Sequence, residues 1–545
     1  MQAETLSVFE NDFVTVREMM LPAADGTLLY TVIAVPQGVS ACPTVMDRTP
    51  YAHRAEPGTD LAASFEDDIL IRAGYARVSQ HCRGCGSSEG ECIPFRYEET
   101  DGEALLEHIR RMPHYDGSIF LAGGSYKAHL LFPLLLDPAP DIKGAVLYVS
   151  SPDFYARNYT NGMNRKASDA AWWLKTMRGE RHPLKMPVEE AIVRPYRDVA
   201  LRAAGEDFPP YTDTLLHNTR DDFWLQWPTD FAQKLRVPTL FLDGWFDFYT
   251  EEMCRLWETL NPAIRPSCCF IMGPYGHGIS VKKDLHDYPF PNGNMAPKVR
   301  MVFADWFDHI RTGKPFAYGT PGRFRCYTIG GDCWHETDIS AEKPFPGHGT
   351  DDPQVSTLSL YFSENGYLLS TSPENGSVSY HYDPTDPPRG FAFYRMAKAF
   401  APGSVPGVFS FFSEPFAEDT DFFGAVRWHM SVRSDCEDTA FFMRLYLEEN
   451  GEAYNLTETV TSLSHVCPDY VPGRECNFGL ACHPIAFRVK KGCRLRADIS
   501  SAADNYLPHA NVRGHFALIT ETKEACNTLL FGESRLELFP APQER

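Results

Sequence analysis

Residues 119–128 read Ile119-Phe120-Leu121-Ala122-Gly123-Gly124-Ser125-Tyr126-Lys127-Ala128. The apolar run 119–122 follows the turn residues Asp116-Gly117 and stops at two glycines, which reads as a short buried strand. Ser125 then stands at a sharp turn into a helix-like stretch. Strand and helix pack closely at such a turn, so small residues are needed around the serine. Gly123 lies two residues before it and Ala128 three after, but Lys127 breaks the strict G-x-S-x-G spacing at its last position. Spacing alone leaves two readings open: an exposed nucleophile, or a serine that caps the following helix.

The neighbourhood of this turn predicts a mainly parallel, helix-covered sheet. Short β-like runs at 28–35, 44–46 and 75–79 precede it, and another at 145–149 follows. Leu105, Ile109 and Met112 recur at i, i+4 and i+7, one apolar helical stripe. Strand–helix alternation of this kind argues for parallel strands covered by helices. From 151 to about 236 the chain turns polar, aromatic and helix-like, with Trp172-Trp173 in its middle. The earlier rhythm then resumes with VPTLFLDGW at 237–245, a stripe of Met253, Leu256, Trp257 and Leu260, and CCFIMGPYGH at 268–277. The segment between therefore reads as a helical lid inserted between two strands of one sheet.

Beyond about residue 345 helical signals fade. Val426, Trp428, Met430 and Val432 alternate along one strand face, as do Phe441, Met443, Leu445 and Leu447, which predicts a β-sandwich or jelly roll. The expected domains are a core in two parts (1–150 and 237–345), a helical cap (151–236) and a β domain (346–545).

A serine hydroxyl is a poor nucleophile near neutral pH and needs a histidine base oriented by a carboxylate. In sheets of this type the order along the chain is serine, acid, histidine, with the last two on loops after later strands. The turn after 237–242 carries Asp243 and Asp247, and the turn after 268–272 carries His277. Among 72 acidic residues and 18 histidines a single match would mean little; order and strand-end position together carry the reading. Spacing does not choose between the two aspartates.

Composition narrows the class. The 545 residues are 43% hydrophobic and 23% charged, as in soluble globular proteins. A net charge of -21 argues against nucleic acid or an anionic membrane as a partner. The start, MQAETLSVFENDF, lacks a basic stretch followed by an apolar core, and the apolar run 130–136 is too short for a bilayer and holds Pro133. With 15 cysteines, an odd number, the expected setting is a reducing cytoplasm with free thiols. Cys82, Cys85 and Cys92 have no matching CxxC pair or close histidine pair, so they read as thiols, not as a zinc site.

These motifs resemble the X-prolyl dipeptidyl-peptidase and cocaine-esterase-like serine hydrolases, a family that includes acylases and amino-acid ester hydrolases. Asp47-Arg48-Thr49-Pro50-Tyr51 is similar to its R-T-P-Y. Gly74-Tyr75-Ala76 with Arg83-Gly84-Cys85-Gly86-Ser87-Ser88-Glu89-Gly90 is similar to its G-Y and R-G-x-G-x-S-x-G. Residues 123–128 resemble its elbow G-x-S-Y-x-G, which tolerates varied residues at the Lys127 position, with Ala128 in place of the last glycine. Gly244-Trp245-Phe246-Asp247 resembles G-W-x-D, and Gly273-Pro274-Tyr275-Gly276-His277 resembles G-P-W-x-H. Ser413-Glu414-Pro415-Phe416, Gly424 and the run 434–439 look like its C-terminal β signature.

The resemblance implies an α/β-hydrolase core with an inserted helical cap and a C-terminal β jelly-roll (galactose-binding-like) domain. It implies a triad of Ser125, Asp247 and His277, and an oxyanion hole formed by the Tyr51 phenol and the Tyr126 backbone N–H. Trp172, Trp173, Trp245 and Phe246 are candidate apolar walls for substrate, although each suits an ordinary core better. His81 departs from the family, which usually has aspartate there, and adds a titrating group near the sheet's end.

The expected reaction cleaves an ester or amide of a small molecule or short peptide through an acyl-enzyme, without metal or organic cofactor. The triad does not choose among an X-Pro peptide, an aryl ester and an acylated β-lactam, and self-association is left open. The reading from a different class is a non-catalytic binding protein on the same scaffold; against it, all three triad positions and Tyr51 are present.

Overall fold

The computed structural model describes residues 3–51, 68–165, 168–178, 182–227, 230–281, 286–349, 355–373, 375–390 and 395–541. Its N-terminal part is built on an eleven-stranded sheet. In chain order the strands are β1 (Glu4–Glu10), β2 (Val14–Pro22), β3 (Leu28–Pro36), β4 (Cys42–Thr49), β5 (Ala76–His81), β6 (Tyr115–Gly124) and β7 (Ile142–Tyr148). Two short strands, β8 (Tyr159–Thr160) and β9 (Met163–Asn164), pair by themselves. The sheet then continues with β10 (Thr239–Gly244), β11 (Cys269–Gly273), β12 (Phe324–Thr328) and β13 (Cys333–Thr337). The spatial order is β1-β2-β3-β5-β4-β6-β7-β10-β11-β12-β13. The strands from β5 to β12 run parallel, and antiparallel pairs flank them at both ends.

Every residue of β10 and β11 is buried, as strands covered on both faces must be. The alternation of side chains divides the core. Phe120, Leu240, Leu242 and Ile271 share one cluster with Val302, Phe303, Trp306 and Phe307 of the helix Val299–Thr312. Ile119, Leu121, Phe241 and Phe270 point the other way, to Leu105 and Ile109 of the helix Glu98–Arg110 and to Met253 and Trp257 of Thr250–Glu258. Burying one such side chain stabilises the fold by about 1.5–3 kcal/mol. Met112 and Leu260, expected on these helices, lie just past their ends and still pack on the core. The helical stretch after Ser125 is broken, with Tyr126–His129 and Phe132–Leu136 separated just before Pro133. Proline at the second position of a helix is tolerated, because that N–H has no intrahelical partner.

Between β7 and β10 the chain forms short helices and a π-helical turn, Trp172–Met177. They surround an aromatic cluster of Phe154, Tyr159, Trp173, Tyr196, Tyr211 and Trp224, which also takes in Tyr126 and Leu130 next to the serine turn. From Leu358 to Leu538 a ten-stranded, mostly antiparallel sheet follows. The buried faces expected at Val426, Trp428, Met430 and Val432, and at Phe441, Met443, Leu445 and Leu447, are buried in its strands Thr420–Ser434 and Ala440–Glu449. This β part also holds the helical insert. Asn161 Nδ2–H donates to the Val460 carbonyl at 3.1 Å, and the Arg197 N–H to the Ala517 carbonyl at 2.9 Å. Among the described residues no helix is long and apolar enough to cross a membrane, and no group of His, Cys, Asp and Glu is arranged to hold a metal ion.

Candidate active site

Ser125 adopts φ 54° and ψ −134° between β6 and the helix Tyr126–His129. A non-glycine residue there carries strain of about 1–3 kcal/mol that its surroundings must hold in place. Its N–H donates to the Tyr148 carbonyl of β7 at 3.0 Å. A Cβ on Gly123 would lie 2.6 Å from the Lys127 carbonyl oxygen, and one on Gly124 2.0 Å from the Tyr148 ring. Both glycines are therefore needed for the close approach. Lys127, the irregular position, reaches back to Asp47 of β4, with Nζ 3.2 Å from Oδ1. Asp47 also accepts from Arg77 Nη2 at 2.7 Å and Ser79 Oγ at 2.8 Å. Burial opposes charge on Asp47, yet Lys127 and Arg77 hold its carboxyl below the usual carboxylate range.

The structure brings Ser125, Asp247 and His277 into one chain of hydrogen bonds. The Ser125 Oγ lies 3.0 Å from His277 Nε2, and His277 Nδ1 lies 2.6 Å from Asp247 Oδ2. Two interlaced loops create this arrangement. The Trp245 N–H donates to the Gly273 carbonyl at 2.9 Å, and the Phe246 N–H to the Tyr275 carbonyl at 3.0 Å. A Cβ on Gly244 would stand 2.3 Å from that Tyr275 oxygen, so the G-W-x-D turn needs its glycine. Asp247 is buried, and its second oxygen accepts the Tyr249 N–H at 2.8 Å. The His277 side chain keeps 30% exposure, and its ring stacks on Phe248 with centroids 4.4 Å apart. Asp243, the other spacing candidate, is fully buried at the end of β10, where Oδ1 accepts the Gly244 N–H at 2.8 Å. Burial, aided by the Asp247 charge, pushes its carboxyl well above the usual range.

Tyr51 is 39% exposed, and its hydroxyl lies 3.5 Å from Ser125 Oγ. Trp172 Nε1–H donates to that hydroxyl at 3.3 Å. Tyr126 opens its helix, so its N–H lies in the unpaired first turn. Its buried phenol donates to Glu98 Oε1 at 2.5 Å and accepts the Phe95 N–H at 3.0 Å. Both tyrosines expected at an oxyanion hole thus border the serine, one by its side chain and one by its backbone.

Of the four aromatics expected as pocket walls, Trp172 is half-buried beside Tyr51. The other three are buried, and Trp245 and Phe246 also line a cavity together with Asp247 and Phe248. Trp173 is buried among Phe95, Phe154 and Tyr211, behind Trp172. Trp245 is fully buried, with its indole N–H donating to the Tyr327 carbonyl at 2.7 Å. Phe246 packs on His286 and Phe290. The run Phe248-Tyr249 right after Asp247 touches the triad instead, and motif matching ended one residue too early to see it. His81 packs against Tyr30 with ring centroids 4.6 Å apart and planes tilted by 40°, and burial lowers its imidazole to about 4, so it stays neutral.

Comparison with known proteins places the chain beside a family of hydrolases. Residues 25–279 match the family model described as X-Pro dipeptidyl-peptidase (S15 family), and residues 341–537 match its C-terminal non-catalytic domain. Cocaine esterase from Rhodococcus sp. (strain MB1 Bresler) is 24% identical over 408 residues, 69% of either chain. An aminopeptidase from a marine sediment Thaumarchaeota archaeon superposes with a TM-score of 0.80 at 19% identity over 98% of both chains. An α-amino acid ester hydrolase gives 0.78 at 20% identity over 97% of both. These two structures share the fold of the whole chain.

Proposed function

We propose that this chain, which belongs to the X-prolyl dipeptidyl-peptidase and cocaine-esterase-like family of serine hydrolases, acts through Ser125, His277 and Asp247. The observation that carries the assignment is the unbroken relay from Asp247 Oδ2 through both ring nitrogens of His277 to Ser125 Oγ. His277 takes the Ser125 proton as Oγ attacks a substrate carbonyl. Asp247 fixes the ring with its proton on Nδ1 and stabilises the imidazolium that forms. Charge developing on the carbonyl oxygen is met by the Tyr51 hydroxyl and the Tyr126 N–H, two donors held before the reaction begins. His277 then returns the proton to the leaving alcohol or amine, and a water activated by the same ring releases the acyl group.

The surroundings favour an ester or amide with an apolar or aromatic acyl group. Trp172 and Phe248 flank the serine and the histidine. Asp169, a carboxylate of the helical insert, is already paired with Arg157. The site is read as that of a cytoplasmic enzyme whose jelly-roll β part supports the cap.

Turnover of an aryl ester, an X-Pro arylamide and an amide-acylated β-lactam, measured side by side, tests the substrate reading. Ester turnover above arylamide turnover, lost in Ser125→Ala, is the expected result. Fast arylamide turnover that requires the free amine would replace the ester reading with a peptidase. Turnover that survives Ser125→Ala would remove the serine from the mechanism.

A further inference from the structure

We propose that Arg157 is a positioning residue for acylation, aligning the Asp247 turn and Tyr51 from one buried guanidinium; this rests on Ser125 being the nucleophile. Arg157 belongs to the helix Phe154–Asn158, which directly follows β7, and is 4% exposed. Its Nε–H donates to the Tyr249 hydroxyl at 2.9 Å. The backbone N–H of that same tyrosine donates to Asp247 Oδ1 at 2.8 Å. The residue that holds the acid is thus itself held by Arg157.

The other side of the guanidinium leads to the oxyanion donor. Its central carbon stands 4.4 Å from the centroid of the Trp172 ring, and Trp172 Nε1–H donates to the Tyr51 hydroxyl at 3.3 Å. A cation over an indole face draws on its electron density, which makes the indole N–H a stronger donor. A hydroxyl that accepts such a bond becomes a stronger donor in turn. The Tyr51 hydroxyl donates in turn to Ser125 Oγ over a long 3.5 Å, close enough for its hydrogen to turn to charge arising beside the serine.

Fold stability does not account for this arginine. Its Nη2 reaches Asp169 Oδ1 only at 3.4 Å, and Nη1 is buried without a hydrogen-bond partner among the described residues. A buried cation with one long ion pair is often no better for stability than an apolar side chain of similar volume. The nearby Arg165 is engaged elsewhere, with the Phe248 carbonyl, Thr160 and Glu252. Arg157 makes contacts that reach both Tyr249 and Trp172. It touches no reacting atom, so its effect belongs in kcat.

Arg157→Met, Arg157→Lys and the double variant Arg157→Met/Asp169→Asn, made in the full chain, test the proposal. Aryl ester kinetics and the rate of fluorophosphonate labelling are read alongside thermal melting. Arg157→Met is expected to lower kcat and the labelling rate about 10- to 100-fold with KM changed less than about twofold, since orientation and oxyanion stabilisation are both weakened. Arg157→Lys keeps a cation over Trp172 and recovers most of that loss.

The double variant leaves no charge unpaired and breaks both bridges, so it folds and stays slow. If Arg157→Met does not fold, the double variant decides by the same criterion. Wild-type kcat in either folded variant, or a loss confined to KM, overturns the proposal. Failure of the nucleophile reading looks different, because wild type itself would then remain unlabelled.

Discussion

Two neighbouring aspartates, one replaced at a time, separate the roles that chain spacing left unresolved. In Asp247→Asn the side-chain oxygen stays where Oδ1 accepts the Tyr249 N–H at 2.8 Å. The new NH2 group must then face His277 Nδ1 at the 2.6 Å now spanned by Oδ2. Two N–H donors cannot oppose each other at that distance. The ring therefore moves its proton to Nε2 and no longer accepts from Ser125. The loss in kcat is about 10⁴-fold, or about 5.5 kcal/mol of barrier at about 1.4 kcal/mol per decade.

Asp243→Asn has none of these consequences. Burial and the Asp247 charge already disfavour an ionised Asp243, and an amide keeps the Gly244 bond to Oδ1. Oδ2 has no hydrogen-bond partner among the described residues, so the amide nitrogen displaces none. Stability changes by about 1 kcal/mol or less and kcat by less than about threefold. The assay is aryl ester turnover at neutral pH, with a thermal melt of each variant. If Asp243→Asn is the inactive protein, or if both retain full activity, the assignment of the acid is refuted.

Three further outcomes follow from other contacts. Tyr51→Phe removes one oxyanion donor, so kcat falls about 10²- to 10³-fold with KM nearly constant in steady-state kinetics; an unchanged kcat refutes the role. His348 is wedged between Glu251 and Glu258, each at 2.9 Å, and although burial opposes charge these carboxylates raise its imidazole from 6.5 to about 9. Stability from this group, about 3 kcal/mol, is therefore fully present below pH 6.5 and lost as pH rises through about 9. The melting temperature should drop across that window and the slope should flatten in His348→Gln; an equal slope in the variant contradicts the linkage. Lys127→Met leaves Asp47 with Arg77 and Ser79, so denaturant titration should show a loss of about 1–2 kcal/mol while kcat stays within about threefold. A large loss of activity at unchanged stability would show that Lys127 does more than brace the turn.

Much of the fold was legible because its signals are local. The strand–glycine–serine turn, the apolar stripes around Leu105 and Met253, and the alternating faces at Val426 and Phe441 each declare themselves within about a dozen residues. Order along the chain and strand-end position pointed to Ser125 and His277, and they narrowed the acid to two aspartates. The motif resemblance selected Asp247. Other features depended on contacts across long separations. Lys127 breaks the strict elbow spacing, which the motif resemblance allows, but its partner, Asp47 of β4, lies too far along the chain to be read from the motif. Trp245 suited the core better than a pocket wall, but the partner of its indole in the interior, the Tyr327 carbonyl of β12, could not be read from the sequence. Arg157, Trp172 and Tyr249 come from three separate segments. No periodicity announces their meeting at the serine.

The most direct measurement is the site of covalent modification by a fluorophosphonate, read by intact mass and peptide mapping. One adduct on the peptide that carries Ser125, formed in wild type and absent from folded Ser125→Ala, is the result this account predicts. A folded wild-type protein that takes up no label, or a label that maps to another residue, would contradict it.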